Sequence, residues 1–315
     1  MNAANQADDA HHINFRTGMI YGTAAAIIWG AWPVFSRLGV DQTLNAFDIA
    51  ALRFGVAGLV LLPLIWRHAL KGLGWQRALF LSFGAGVPYV LIMVGGLSLA
   101  PVGHAGVITP SVMLFCSTIG SCVYLGDKMT KARTIGMGAI IVGVGLIGWR
   151  AMAGNAGAVW LGDLMFAGGG MLWASYTVAA RRWKVEPMHA VAIVSVVSMA
   201  LYLPVYFAAM EPRIFDAPLG EVLFQAGFQG VLTAIGALVF YTRSVAILGA
   251  GRGAIFAALV PAVTILLAMP VLGEHPTANE IVGVVAVSFG MAVAMGIVRL
   301  PVVRLASRSK PPAQP

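Results

Sequence analysis

Two arginines, Arg53 and Arg243, interrupt runs of mostly apolar residues. A charge at the centre of a membrane helix costs about 2.5–3.5 kcal/mol on insertion scales, so residues of this kind usually serve a function. An arginine can hold a substrate carboxylate through two parallel N–H donors. Extension of the charged end to the nearer membrane surface is an alternative that the sequence leaves open for both residues.

Aromatic residues also stand at unusual depths. Trp and Tyr are enriched at membrane surfaces, yet Trp29, Tyr89 and Trp173 fall near the middle of apolar stretches. A Trp N–H or Tyr hydroxyl at that depth needs a hydrogen-bond partner or a water-filled cavity, although helix packing with a local hydrogen bond is the alternative. The predicted substrate-binding residues are Trp29, Trp32, Arg53, Tyr89, Trp173, Tyr176, Tyr241 and Arg243.

Four prolines within apolar stretches are candidate hinges. A proline lacks an N–H and leaves the carbonyl four residues earlier without its helical partner. Freed carbonyls can bind a ligand or permit a bend, although prolines also simply curve membrane helices. The predicted hinges are Pro33, Pro88, Pro110 and Pro261, which would free the carbonyls of Trp29, Gly84, Gly106 and Ala257.

These residues belong to a chain that is too apolar for a soluble protein. Of its 315 residues, 59% are hydrophobic and 10% charged, with a mean hydropathy of +0.85, whereas soluble domains are about 25% charged. We therefore predict an all-α membrane protein with about ten transmembrane helices, flanked by a disordered tail at residues 1–17 and a second tail at 301–315. The predicted spans lie at about 18–37, 46–66, 77–99, 103–125, 132–149, 160–180, 188–209, 222–247, 251–272 and 278–298.

The positions of Lys and Arg predict the orientation, because cytoplasmic loops are enriched in them. With the N-terminus inside, fifteen of the twenty Lys and Arg residues lie on the cytoplasmic side. The expected location is the cell inner (plasma) membrane, with both tails in the cytoplasm. Topology then explains the net charge of +8, so no nucleic-acid partner is expected.

An internal repeat divides the chain into residues 18–150 and 151–300. Residues 125–146 match 272–293 at a constant offset of 147, which pairs Leu-Gly-acid at 125–127 with Leu-Gly-acid at 272–274 and two glycines in each copy. Each half has about five spans, and an odd number inverts the second half across the membrane. Inverted repeats are typical of secondary transporters.

The sequence also resembles the EamA-like branch of the drug/metabolite transporter superfamily. The similarity covers about 18–298 and includes Pro261 before Glu274, the spaced Gly283 and Gly290, Trp29-Gly30, and Arg53-Phe54. The first half departs from the pattern, because Asp127 replaces Glu and Leu114 stands where a proline is expected. The resemblance implies a ten-span carrier of the plasma membrane that exports amino acids or other small metabolites, and sometimes drugs.

Acidic residues are confined to tails, loops and span edges. Proton-driven antiporters commonly use a buried carboxylate, so we expect a facilitator or exchanger driven by the substrate gradient. His104 opens a span and is expected to be a solvated histidine at the membrane surface. A proton route through it is the alternative.

Chemistry other than transport lacks its usual residues. No P-loop, H-E-x-x-H or G-x-S-x-G motif occurs, and Cys116 and Cys122 match no metal spacing, so we expect no enzyme, no cofactor and no metal. The predicted function is outward transport of small metabolites by alternating access. Amino acids or related compounds are the first candidates for the substrate. The expected partners are the substrate and the bilayer, with a monomer or weak homodimer. The alternatives are a multidrug exporter of the same fold, and a lipid flippase or lipid-modifying membrane protein.

Overall fold

The computed structural model describes residues 3–152 and 157–298, and these ranges contain helices and turns without any β-strand. A 3₁₀ turn occupies Arg213–Phe215, and a π-helical segment, Ala226–Gly236, joins two helices into one continuous element. The helices are α1 (Ala3–Asp41), α2 (Ala46–His68), α3 (Trp75–Ala85), α4 (Val87–Leu97), α5 (Val102–Leu125), α6 (Lys131–Met152), α7 (Val159–Arg182), α8 (Pro187–Ala209), α9 (Leu219–Gln225), α10 (Ala237–Leu248), α11 (Ala250–Leu272) and α12 (Ala278–Ala294).

The helices form ten rod-like segments, because α3 and α4 are two halves of one segment and α9, the π segment and α10 make up another. Within the described ranges, eight segments are long and apolar enough to cross a membrane. The other two segments are α12 and α7. Helix α12 is apolar but has only 17 residues, whereas α7 has 24 residues and packs on α5. The all-helical membrane fold predicted from the sequence is confirmed.

The two ends of the bundle differ in charge, and we name them accordingly. The acidic end holds the starts of α2, α5, α7 and α12, with Asp41, Asp48, Asp163, Glu211, Asp216, Glu221, Glu274 and Glu280. The basic end holds the loops after α2, α5, α7 and α10, with Arg67, Lys71, Arg77, Lys128, Lys131, Arg133, Arg181, Arg182, Lys184 and Arg252. Short connections make successive segments antiparallel, so the charge sorting predicted from the sequence is present in three dimensions.

Helix contacts follow the internal repeat. Helix α1 packs on α11 as α7 packs on α5, and α1 packs on α10 as α7 packs on α3 and α4. The repeat also makes α2 equivalent to α8 and α6 equivalent to α12. These equivalent helices pack directly on each other. Such reciprocal pairs indicate a pseudo-twofold axis between two inverted halves of five segments each.

The glycines shared by the two repeat copies explain how α6 and α12 approach each other. A methyl group at Gly143 would lie 2.7 Å from the carbonyl oxygen of Gly283, and one at Gly290 would lie 2.7 Å from that of Gly136. Close backbone approach at small residues is a common means of helix association in membranes. The repeated glycines are therefore packing positions where the two halves meet.

The repeated Leu-Gly-acid turn also has a local structural cause. Gly126 and Gly273 end α5 and α11 in the left-handed conformation, with φ of 75° and 69°. Only glycine adopts this conformation without strain, so it ends both helices in the same way. The acid after each glycine therefore lies in a loop at an end of the bundle, Asp127 at the basic end and Glu274 at the acidic end.

Two local expectations differ from the structure. Residues 3–17 continue α1 rather than form a disordered tail; the stretch has no Gly or Pro before Gly18 and can therefore extend the helix. The tail predicted at 301–315 lies outside the described residues. The interruption predicted at Pro88 lies at Gly86, and Pro88 occupies the first turn of α4, where no backbone donor is required.

Candidate substrate cavity

A cavity of about 420 Å³ lies between the two halves. Its lining extends from Ala105, in the first turn of α5, to Met295, the residue that caps α12 at the basic end. The lining is mostly aromatic and aliphatic, with a few hydroxyls and one arginine. The lining includes Trp29, Trp32, Arg53, Tyr89, Met93, Thr109, Met113, Trp173, Tyr176, Ser195, Thr233, Tyr241, Ala257 and Met291.

Most of the residues predicted from the sequence meet at this cavity. Those that line it are Trp29, Trp32, Pro33, Arg53, Tyr89, Pro110, Trp173, Tyr176 and Tyr241. Arg243 does not line it and is exposed, because it lies two residues after Tyr241 on a different face of α10. Pro88 and Pro261 are also absent from the lining. Binding and hinge roles stay predictions.

A row of aromatic rings forms one wall of the cavity. Trp32 stacks on Tyr89, with centroids 5.7 Å apart and planes 16° apart. Tyr89 contacts Trp173 at 4.8 Å, and Trp173 contacts Tyr176 at 5.6 Å. The row joins α1, α4 and α7, so it crosses from the first half of the chain to the second.

Trp29 also lines the cavity, about one turn before Trp32 on α1. Its ring lies 5.1 Å from that of Tyr241 on α10. The repeat relates Trp29 to Trp173, and these two residues occupy corresponding positions on α1 and α7. Each therefore contacts a tyrosine of the other half rather than the other tryptophan.

Arg53 is the charged residue of the lining. It is 6% exposed, and its guanidinium carbon lies 5.5 Å from the ring centre of Trp32, a cation–π arrangement. Its Nε and Nη1 are buried without a hydrogen-bond partner. No ion pair within the described ranges includes Arg53. The guanidinium can therefore accept an anionic group from a ligand.

A glutamine network holds Trp32 in place and was not predicted from the sequence. Gln229 accepts a hydrogen bond from Trp32 Nε1 at 2.8 Å and donates to Ser36 at 3.0 Å. Gln225 accepts from Gln229 and donates to the carbonyl oxygen of Phe35 at 2.7 Å. The available signal was the pair of glutamines four residues apart in an apolar span. Gln229 lies in the π segment, and such segments often occur at functional sites.

A cluster of ionisable residues lies at the acidic end. His104 Nδ1 lies 2.7 Å from Asp163, and His104 Nε2 lies 3.1 Å from Glu280. His104 is 5% exposed, so the solvated histidine predicted from the sequence is wrong. The cluster connects α5 with α7 and α12. Sequence spacing could not place these residues together, because they are 59 and 176 positions apart.

The repeated acids Asp127 and Glu274 make different contacts at the two ends. Both carboxylate oxygens of Glu274 face the backbone N–H of Val102, which begins α5. Asp127 instead pairs with Arg181 at 3.4 Å and Arg133 at 3.9 Å. Glu274 thus connects α11 to α5 at the acidic end, whereas Asp127 connects α5 to the end of α7.

Comparisons with known proteins agree with this architecture. The model of the EamA-like transporter family matches residues 16–149 and 160–296. The chain is 25% identical over 263 residues to the "Uncharacterized transporter YyaM" of Bacillus subtilis (strain 168), covering 80% of this chain and 85% of that protein.

A solved structure titled "Crystal structure of protein" is similar in fold, with a TM-score of 0.61 and 21% identity, over 93% of this chain and 99% of that one. Its likeness concerns the fold alone. The family match covers both halves, each with its own copy of the repeat, and the chain therefore belongs to the EamA-like transporter family and is a multi-pass membrane transporter.

Proposed function

We propose that this transporter moves small amphipathic metabolites that carry a carboxylate, amino acids or related compounds, outward by alternating access. The observation that carries the proposal is Arg53, buried and unpaired in an aromatic cavity between two inverted halves. A guanidinium forms two parallel hydrogen bonds with a carboxylate, which fixes the orientation of a ligand as well as its charge. The aromatic row would then hold the apolar part of the ligand.

The contacts at the two ends support alternating access. The His104 cluster and Glu274 close the acidic end, whereas the cavity reaches the basic end. Because the halves are inverted copies, the opposite state would exchange the contacts of the two ends. Release at the acidic end requires that these contacts separate while the basic end closes.

The predicted orientation gives the side from which the carrier is loaded in the state described. Cytoplasmic segments are enriched in Lys and Arg, so the basic end would face the cytoplasm of an inner membrane. A cavity that reaches the basic end is then loaded from inside. The acidic end is the exit.

A multidrug exporter of the same fold is the second candidate. Met93, Met113, Met291 and Met295 line the cavity, and flexible thioether side chains adapt to ligands of different shapes. The two candidates differ in the charge of the preferred ligand. A buried arginine favours carboxylates and disfavours the organic cations that many drugs are.

Counterflow in liposomes tests the proposed function. Purified protein would exchange labelled against unlabelled compound for a panel of amino acids, nucleosides and cationic dyes, with the variants Trp29→Ala, Tyr89→Ala and Arg53→Ala. We expect Arg53→Ala to lose about tenfold or more in exchange, because charged hydrogen bonds contribute about 1.5–3 kcal/mol. Arg67→Ala, an exposed arginine on the same helix, is the control. Full exchange by all three cavity variants would refute the site.

A further inference from the structure

The charges around the cavity are unbalanced. Arg53 lines it, and no Asp, Glu, Lys or His of the described residues does so. Two of the guanidinium nitrogens are buried without a partner. An isolated buried charge is strongly disfavoured unless a counter-charge accompanies it. The cavity therefore lacks one negative charge.

A ligand ammonium would find no carboxylate among the described residues of the lining. Cation–π contact is one way to hold an ammonium in an aromatic site, but one face of Trp32 is next to Arg53 and Tyr89 stacks on Trp32. An ammonium near Arg53 would also lose its hydration without gaining an acid. A zwitterion thus pairs one of its charges and leaves the other unpaired, whereas a monoanion pairs its only charge.

We infer that the transported species is an organic anion of net charge −1 with an apolar body, and that the membrane potential drives its exit. This inference rests on the proposed function, because it assigns the substrate class of the same cavity. The carboxylate pairs with Arg53, and the apolar body lies between the aromatic row and methionines such as Met93 and Met113. Neutral amino acids are then weaker ligands than their deaminated counterparts.

The energetics follow from the charge. Each outward turnover moves one negative charge out of a cell whose interior is negative, so the potential favours export without a coupled proton. The cavity lining contains no carboxylate or imidazole among the described residues that could carry such a proton. The sequence predicts a carrier without proton coupling, and for an anionic substrate the membrane potential would supply its driving force.

Three probes with the same isobutyl group separate the possibilities: 4-methyl-2-oxopentanoate, leucine and 3-methylbutylamine carry net charges of −1, 0 and +1. The full-length protein would be placed in liposomes in sulfate medium, with a potassium gradient and valinomycin setting the potential. At about 60 mV one elementary charge gains about 1.4 kcal/mol, which corresponds to about tenfold accumulation. We expect that accumulation of the keto acid on the positive side, above protein-free liposomes, and none of leucine.

The direction of accumulation does not depend on how the protein inserts, since it follows the sign of the potential. Arg53→Gln is expected to abolish the accumulation, and Arg67→Gln, exposed on the same helix, is expected to retain it. If leucine undergoes counterflow as fast as the keto acid and neither responds to potential, the proposed function stands and this inference fails. Preference for the amine also overturns it. If none of the probes is exchanged, both proposals fail.

Discussion

Glu274 accepts hydrogen bonds from the backbone N–H of Val102, at 3.2 Å and 3.0 Å to its two oxygens. The contact joins the loop after α11 to the first turn of α5, and a carboxylate at a helix N-terminus is favoured by the helix dipole. It therefore connects α11 to α5 at the acidic end, and in the proposed mechanism it stabilises the state in which that end is closed. Its repeat counterpart, Asp127, has its partners at the other end of the bundle.

Removal of this contact should open the acidic end. In a background without Cys116 and Cys122, the variant Ala105→Cys places a thiol at a buried cavity position near that end. We expect Glu274→Ala to raise its labelling by a membrane-impermeant maleimide about tenfold, because a charged hydrogen bond contributes about 1.5–3 kcal/mol. Glu211→Ala changes an exposed acid at the same end and should leave the rate unchanged. Equal labelling in both variants would show that Glu274 has no part in closure.

His104→Ala should destabilise the protein more than removal of the whole cluster. The substitution leaves Asp163 and Glu280 as neighbouring carboxylates without a cation, and breaking a buried ion pair typically costs about 3–5 kcal/mol. The triple variant His104→Ala, Asp163→Asn, Glu280→Gln removes the charges together. We expect its melting temperature in detergent to recover part of the loss. A triple variant that melts below His104→Ala would contradict this account.

The glycine at the crossing of α6 and α12 should resist a methyl group that its neighbour tolerates. An alanine at 143 would place Cβ 2.7 Å from the carbonyl oxygen of Gly283, whereas an alanine at 145 meets nothing within 4 Å. Overpacking costs about 1–3 kcal/mol, and Gly→Ala in an open helix gains about 0.5–1 kcal/mol. Thermal stability in detergent should therefore fall for Gly143→Ala and rise slightly for Gly145→Ala. The same response in both variants would argue against close approach at Gly143.

The two intramembrane arginines should differ in their effect on transport. Arg53→Lys keeps the charge but loses the planar fork. We therefore expect the substrate concentration at half-maximal counterflow to rise about tenfold, and to rise further in Arg53→Gln. Arg243→Gln should transport as the unmodified protein does, because Arg243 is exposed and outside the cavity lining. A loss at Arg243 with normal transport in the Arg53 variants would reverse the assignment.

The inverted architecture predicts opposite locations for equivalent loops. A reporter fused after Lys131 should report the cytoplasm, and one fused after Thr277 should report the outside, since these residues stand at the basic and the acidic end. The comparison needs no substrate. Both reporters on one side of the membrane would refute inversion of the halves.

The sequence alone determined the membrane class, the approximate spans, the repeat and much of the cavity. These properties depend on local hydropathy, on composition and on repeated letters, which do not require knowledge of how helices pack. Residues such as Trp29, Tyr89 and Arg53 were identified because a polar group at that depth is costly wherever its helix lies. Depth within a span can be counted along the chain.

Only the tertiary structure decided which faces meet. It buried His104 between two acids, joined Gln229 to Trp32, and turned Arg243 away from the cavity. These outcomes depend on the rotation of each helix about its axis and on partners more than fifty residues distant, and a single sequence records neither. The two copies of the Leu-Gly-acid turn are alike in sequence, and only the tertiary structure shows that Glu274 contacts the start of α5 whereas Asp127 contacts Arg181.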